Sequence, residues 1–218
     1  MDRVGTHVRA ARGIVVKNAT QVFLRRLPLT LIAAIAIWLL LRPIIDTAVA
    51  GLAQTLIRSF EYPRVTRLVV EDHQAQMRRS DLRTDSKVAS VSMTEVTFNT
   101  IVLLALYLAL PRPFSRRQAE RLFMGWCVLC LSQSINLLFH VKTLYAMGLG
   151  EWSQLHYSDI ARNFFGFGRY FTDLPGRFSF PFLIWLGFNW DVVMKMLRVS
   201  PAEDTKRKGK KKRVISNQ

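Results

Sequence analysis

The stretch LFMGWCVLCLSQSINLLFHVKTLYAM, residues 122–147, decides how the rest of the chain is interpreted. At about 1.5 Å per residue, a helix of this length crosses the roughly 30 Å hydrocarbon core of a bilayer. Its polar residues Cys130, Gln133, Asn136 and His140 fall within an arc of roughly 120° on a helical wheel. The stretch therefore predicts a membrane-spanning helix with one polar face turned away from lipid.

Three further apolar runs, residues 27–50, 96–110 and 178–197, predict three more spans. The connector 111–121 is so short that the second and third spans must be antiparallel neighbours. We therefore predict an all-α membrane protein, with a four-helix transmembrane bundle over 27–197 between a basic N-terminal segment, 1–26, and a basic tail, 198–218.

The loop 51–95, between the first two spans, contains two segments rich in β-forming residues. Val65–Val70 and Lys87–Val96 carry Val, Ser and Thr, and the polar segment Glu71–Ser86 separates them. This pattern predicts a small β-hairpin-like insert outside the membrane. Because an isolated hairpin is only marginally stable, we expect it to pack on the bundle or on another subunit.

The loop 148–177, between the third and fourth spans, is unusually aromatic. Aromatic rings collect at the headgroup level of a bilayer, which predicts an interfacial or re-entrant loop. Aromatic patches also anchor protein interfaces, which predicts a docking surface. Both interpretations stay open for Trp152, Tyr157, Phe164, Phe165, Phe167 and Tyr170.

The charge distribution predicts the orientation of the chain. The chain has 31 Lys and Arg, and 19 of them lie in residues 1–26, in the connector 111–121 or from Lys195 onward. By the positive-inside rule, both termini face the cytoplasm and the loops 51–95 and 148–177 lie on the outer side of the membrane. We expect the tail to bind anionic lipid headgroups through Lys206, Arg207, Lys208, Lys210, Lys211, Lys212 and Arg213. We expect no nucleic-acid partner, because the basic residues are segregated from the apolar runs.

No motif in the sequence predicts catalysis or a cofactor. Cys130 and His140 would lie about 15 Å apart on one helix, too far to form a nucleophile–base pair. We therefore expect no catalytic, cofactor or metal site, and we interpret Cys130, Gln133, Asn136 and His140 as contacts with other helices or a partner. Arg42 and Asp46, four residues apart, are assigned the same role near the outer end of the first span.

Three stretches resemble one family in their layout: LPLTLIAAIAIWLLLRPIID (27–46), FNTIVLLALYLALPRP (98–113) and FLIWLGFNWD (182–191). With the β-rich insert and basic connector, they resemble the exosortase H-associated membrane proteins of Gram-negative bacteria. The resemblance implies an inner-membrane companion of a protein-sorting transpeptidase and carries over no residue roles.

The function we predict is that of a non-enzymatic accessory subunit packing against other integral membrane proteins, in a protein-sorting or energy-transducing complex. The alternative is an intramembrane enzyme or transporter that uses the polar face of the third span.

Overall fold

The first helix, α1, spans Arg3–Ser59 in the computed structural model, which describes residues 3–62, 64–79 and 89–197. No break in this helix marks the predicted boundaries after residues 26 and 50. Pro28 and Pro43 lie inside it. The helix continues past both residues, because a proline removes only its own N–H donor and a long apolar helix tolerates that loss.

One face of α1 is buried and the rest is not. Buried residues recur at intervals of four or seven, which places them on one side of the helix: Ala34, Trp38, Ile45, Val49, Ala53 and Ile57. They join a core cluster with Ala75, Met77, Met93, Val96 and Val141. The core of the molecule therefore lies between α1, the sheet described next and the later helices.

The insert is a three-stranded antiparallel sheet rather than the predicted two-stranded hairpin. Its strands are β1 (Thr66–Glu71), β2 (Gln74–Arg79) and β3 (Ala89–Ser92), in the order β1-β2-β3. The central strand β2 lies in the polar segment that was predicted only to separate two strands. Its apolar signal consists of two buried residues, Ala75 and Met77, which alternate with polar residues.

The remaining chain is helical: α2 (Met93–Thr97), α3 (Asn99–Leu108), α4 (Arg116–Met147), α5 (Glu151–His156), α6 (Asp159–Phe171), a π-helical turn (Thr172–Gly176), α7 (Arg177–Phe188) and α8 (Trp190–Leu197). The loop predicted over 148–177 is wrong as secondary structure, because α5, α6 and the π turn occupy most of it. Gly166 and Gly168 both lie inside α6.

Helix α4 is the centre of the helical packing, with α3, α5, α6 and α7 all against it. The larger compact unit of the chain is Phe23–Phe188. The described part of the second unit consists of residues 3–22 and 189–197. The tail 198–218, with its predicted headgroup-binding residues, lies outside the described residues.

Among the residues that the structure describes, two helical segments are long and apolar enough to cross a membrane, Gln21–Ser59 with 39 residues and Arg116–Met147 with 32. Only 17% and 33% of their most apolar windows are buried, so most of this apolar surface faces outward. Met93–Leu108 is a shorter apolar helix. The mostly helical architecture is confirmed, whereas the prediction of four spans remains a prediction.

Candidate functional site

The first half of the polar face of α4, at Gln133 and Ser134, forms hydrogen bonds with other helices of the same chain. Gln133 Nε2 donates hydrogen bonds to Asn99 Oδ1 at 2.5 Å and to Thr100 Oγ1 at 2.8 Å. The Ser134 hydroxyl donates to the backbone oxygen of Val49 at 3.2 Å. These contacts tie α4 to α3 and to α1, as interhelical hydrogen bonds do in membrane proteins.

The second half of the same face, at Asn136 and His140, contacts the π turn. His140 Nε2 lies 2.8 Å from Asp173 Oδ1, and the Thr172 hydroxyl donates to Asn136 Oδ1 at 3.0 Å. His140 therefore pairs with a carboxylate rather than with Cys130, which is a half-buried free thiol. The structure thus places Gln133, Asn136 and His140 in contacts within this chain, and a contact with a partner stays a prediction.

Asp173 is the centre of a charged cluster. Arg169 Nε lies 3.6 Å from its Oδ2, and an Arg177 Nη atom lies 4.0 Å from its Oδ1. Burial alone would raise the pKa of the Asp173 carboxyl. The hydrogen bond and charge of His140, the hydrogen bond of Asn136 and the charge of Arg169 outweigh burial and lower that pKa below its ordinary value of 3.8. The carboxyl group is therefore ionised at neutral pH.

Arg42 and Asp46 form the expected pair, with Arg42 Nε 3.6 Å from Asp46 Oδ2. The Asp46 carboxylate is fully buried. It also contacts His73 Nδ1 at 3.0 Å and accepts a hydrogen bond from the Thr97 hydroxyl at 3.2 Å, while Arg42 donates to the Thr94 hydroxyl. The pair therefore holds the sheet and α2 against α1.

A second buried ion pair, Glu61 with Arg79 at 3.9 Å, was not predicted from the sequence. The Arg79 guanidinium lies over the rings of Tyr145 and Trp152, at 4.8 and 4.6 Å from their centroids. Glu61 also accepts hydrogen bonds from the backbone N–H and hydroxyl of Thr66. The residues of this cluster lie shortly before β1 and in β1, β2, α4 and α5, and together they span a long stretch of the sequence. No local sequence motif could therefore have predicted it.

The six aromatic residues predicted for docking divide into two groups. Trp152 and Tyr157 pack against the core, Phe165 is half-buried, and burial raises the pKa of the Tyr157 hydroxyl. Phe164, Phe167 and Tyr170 are exposed. The structure therefore leaves half of the predicted set available to another molecule.

Two of these three exposed residues, Phe164 and Phe167, belong to a regular apolar stripe. Ile160, Phe164, Phe167 and Phe171 are spaced by four, three and four residues along α6, and all four are exposed, Ile160 to 82% and Phe167 to 68%. We call these four residues the α6 stripe. Apolar residues at alternating spacings of four and three are the pattern of a helix that packs along another helix. The sequence prediction missed Ile160, because the segment had been interpreted as an aromatic loop.

The comparisons with known proteins agree with the layout-level resemblance. The family model for exosortase H-associated membrane proteins matches residues 17–192. The chain belongs to this family. No curated protein and no solved structure matches it.

The match assigns this exosortase H-associated protein to the membrane and associates it with an exosortase. It covers every cluster described above, from Arg42 to Arg177, and ends before the basic tail. Within the described residues, no group of three or more His, Cys, Asp or Glu side chains could hold a metal ion.

An open apolar groove lies between α4 and α7 of this family member. Its volume is about 390 Å³, and its lining is formed by Val128, Leu183, Ile184, Gly187 and Phe188. A Cβ atom added at Gly187 would meet nothing within 4 Å. The groove is therefore wide at this point, and its lining offers apolar contacts.

Proposed function

We propose that this protein is a non-enzymatic accessory subunit of the bacterial inner membrane that packs against exosortase H. Family membership supports the association with an exosortase. The observation that carries the proposal is the α6 stripe, an exposed apolar surface with the spacing of a helix–helix contact. The stripe supports docking if it lies outside the lipid, which depends on two inferences about where the membrane surface lies.

The first inference concerns the lipid-facing surface. Large exposed apolar side chains cover α1, the first half of α4 and α7: Leu29, Ile32, Leu40, Ile44, Phe123, Val128, Leu131, Ile135, Phe178, Phe182 and Leu183. A soluble monomer rarely exposes such a surface. We infer that these side chains face hydrocarbon, and that α3 crosses beside them.

The second inference concerns where the hydrocarbon ends. Asp46 bonds Thr97, Gln133 bonds Asn99, and Ser134 bonds Val49, so the polar groups of α1, α3 and α4 lie close to one another. From Arg116 to Gln133 a helix rises about 27 Å, close to the thickness of the hydrocarbon core. We place the outer membrane surface beside these polar groups, with the sheet outside.

The α6 stripe then lies outside the lipid. Helix α6 packs on the last turns of α4: the Thr143 hydroxyl donates to the backbone oxygen of Phe165 at 2.9 Å, and Gly168 lies against Phe139. No residue of α4 between positions 137 and 146 is exposed. Apolar side chains exposed at this height would face water unless a partner covers them, which favours docking over lipid contact.

The alternative, an intramembrane enzyme or transporter, is less well supported. It requires the polar face of α4 to be open to a substrate, but Gln133, Asn136 and His140 are buried and bonded to side chains of the same chain. We propose in addition that the basic tail binds anionic headgroups on the cytoplasmic side.

The test is affinity co-purification with exosortase H co-expressed in the same membrane. We expect the double variant Ile160→Ala/Phe167→Ala to retain at least tenfold less exosortase, because central apolar anchors each contribute about 2 kcal/mol or more. The matched control, Phe123→Ala/Leu131→Ala, removes similar side chains from the lipid-facing side of α4 and should retain it. Equal retention by both double variants would show that the stripe is not the docking surface. Failure of the unaltered protein to co-purify would refute the accessory function.

A further inference from the structure

Two arginines, Arg169 and Arg177, lie beside the single carboxylate of the π turn. Arg169, Asp173 and Arg177 follow one another at four-residue intervals, so two guanidinium groups flank one carboxylate. The distances of 3.6 and 4.0 Å exceed hydrogen-bond length, and the direct bond to Asp173 is made by His140. Among the described residues, Arg177 Nε is buried without a hydrogen-bond partner. The cluster therefore carries excess positive charge and, within the described part of the chain, a free donor at Arg177 Nε.

The apolar groove begins on the same face of α7. Ile184 and Phe188 follow Arg177 by seven and eleven residues, which brings both within about 20° of it around the helix axis. From Arg177 to Phe188 the helix rises about 16 Å, close to the roughly 15 Å of one hydrocarbon leaflet. Arg177 therefore stands on the groove's side of α7, and the far end of the groove at Phe188 lies about one leaflet depth below it.

We propose that this surface binds one glycerophospholipid, with its phosphate held by Arg169 and Arg177 and one acyl chain in the groove of Val128, Leu183, Ile184, Gly187 and Phe188. Guanidinium groups suit phosphate because their planar N–H donors match two of its oxygens. The Asp173 carboxylate, which contacts His140, holds both arginines near the phosphate and offsets only one of their two charges. This site is independent of exosortase docking, which uses the α6 stripe.

The role of the two arginines in lipid binding is tested by native mass spectrometry of the purified full chain in detergent, titrated with phosphatidylglycerol. The unaltered protein should retain one lipid per chain. The double variant Arg169→Gln/Arg177→Gln should bind about tenfold more weakly, because hydrogen bonds to a charged group are lost. Arg78→Gln removes an exposed arginine of the sheet and should bind as the unaltered protein does. Equal binding by all three proteins would overturn the proposal.

The groove is tested by filling it. Gly187→Leu places a side chain in open space and should displace the acyl chain, with a loss of lipid similar to that of the double arginine variant. Gly51→Leu is the matched control, since an added Cβ at this exposed helical glycine also meets nothing within 4 Å. If Gly187→Leu retains lipid, the acyl chain does not lie in the groove and the proposal fails.

Two further arms separate the remaining explanations. Asp173→Asn keeps a polar partner for His140 but removes the competing charge, so lipid retention should be maintained or rise. A loss equal to that of the arginine variant would mean that the arginines act only in folding, which overturns the proposal.

Displacement of the lipid by equimolar inorganic phosphate would show a free-phosphate site instead. The arginine variant should still co-purify exosortase H, and loss of exosortase with lipid retained would identify a protein contact and overturn the lipid site.

Discussion

At the scale of single residues, Asp46 shows how much of a polar contact can be predicted from spacing. Its pairing with Arg42 follows from a separation of four residues in a helix, and the structure contains that pair. The contacts from His73 and Thr97 do not follow from any spacing, because a β-turn and a separate helix supply them. The turn itself was not predicted: Asp72 and His73 both adopt positive φ, 48° and 59°, where Asn-Gly is the usual signal.

We predict that Asp46→Ala destabilises the protein by about 3 to 5 kcal/mol, because removing one member of a buried ion pair leaves the other charge uncompensated. Urea unfolding in detergent micelles measures the loss, and hydrogen exchange should accelerate in β1 and β2. Glu71→Ala is the control, since Glu71 forms an exposed ion pair with Arg78 and should cost less than about 1 kcal/mol. Equal costs for the two variants would contradict a structural role for the buried carboxylate.

At the scale of elements, α6 was the main failure of sequence reasoning. The segment was interpreted as a loop, and its aromatic residues were grouped by composition rather than by face. In the structure, a Cβ atom added at Gly168 would overlap the Phe139 ring, with Cζ only 2.7 Å away. A glycine required for close approach of two helices cannot be distinguished from a helix breaker without knowing the neighbouring helix. The long apolar helices α1 and α4 were predictable because their length alone identifies them.

We therefore predict opposite effects of two alanine substitutions, one in α6 and one in α7. Gly168→Ala should destabilise the packing of α4 on α6 by about 1 to 3 kcal/mol, because an overpacked contact forces ring and backbone shifts. Gly187→Ala meets no neighbour and should stabilise α7 by about 0.5 to 1 kcal/mol through helix propensity. Thermal unfolding in one detergent measures both variants. A stabilised Gly168→Ala variant would contradict the close contact.

At the scale of the whole molecule, charge and hydropathy together predict four membrane crossings. Neither the helix lengths nor the contacts between helices determine that number alone. Two helical segments pass the length and composition test for spanning a membrane, and Met93–Leu108 is shorter. Four crossings put the connector 111–121 in the cytoplasm with both termini, as the positive-inside rule requires. Two crossings, by α1 and α4 only, would put that arginine-rich connector outside. The difference rests on whether the short helix α3 crosses, which sequence alone cannot establish.

Cysteine labelling distinguishes these arrangements. With Cys127 and Cys130 replaced by serine, single cysteines at the exposed positions Arg67, Arg116 and Glu151 report on β1, the start of α4 and the start of α5. Four crossings with both termini inside predict that a membrane-impermeant maleimide labels Arg67→Cys and Glu151→Cys in intact spheroplasts, but labels Arg116→Cys only after lysis. Two crossings predict labelling of Arg67→Cys and Arg116→Cys, with Glu151→Cys protected. We expect the first pattern, because the second would leave the arginines of the connector outside the membrane, against the positive-inside rule.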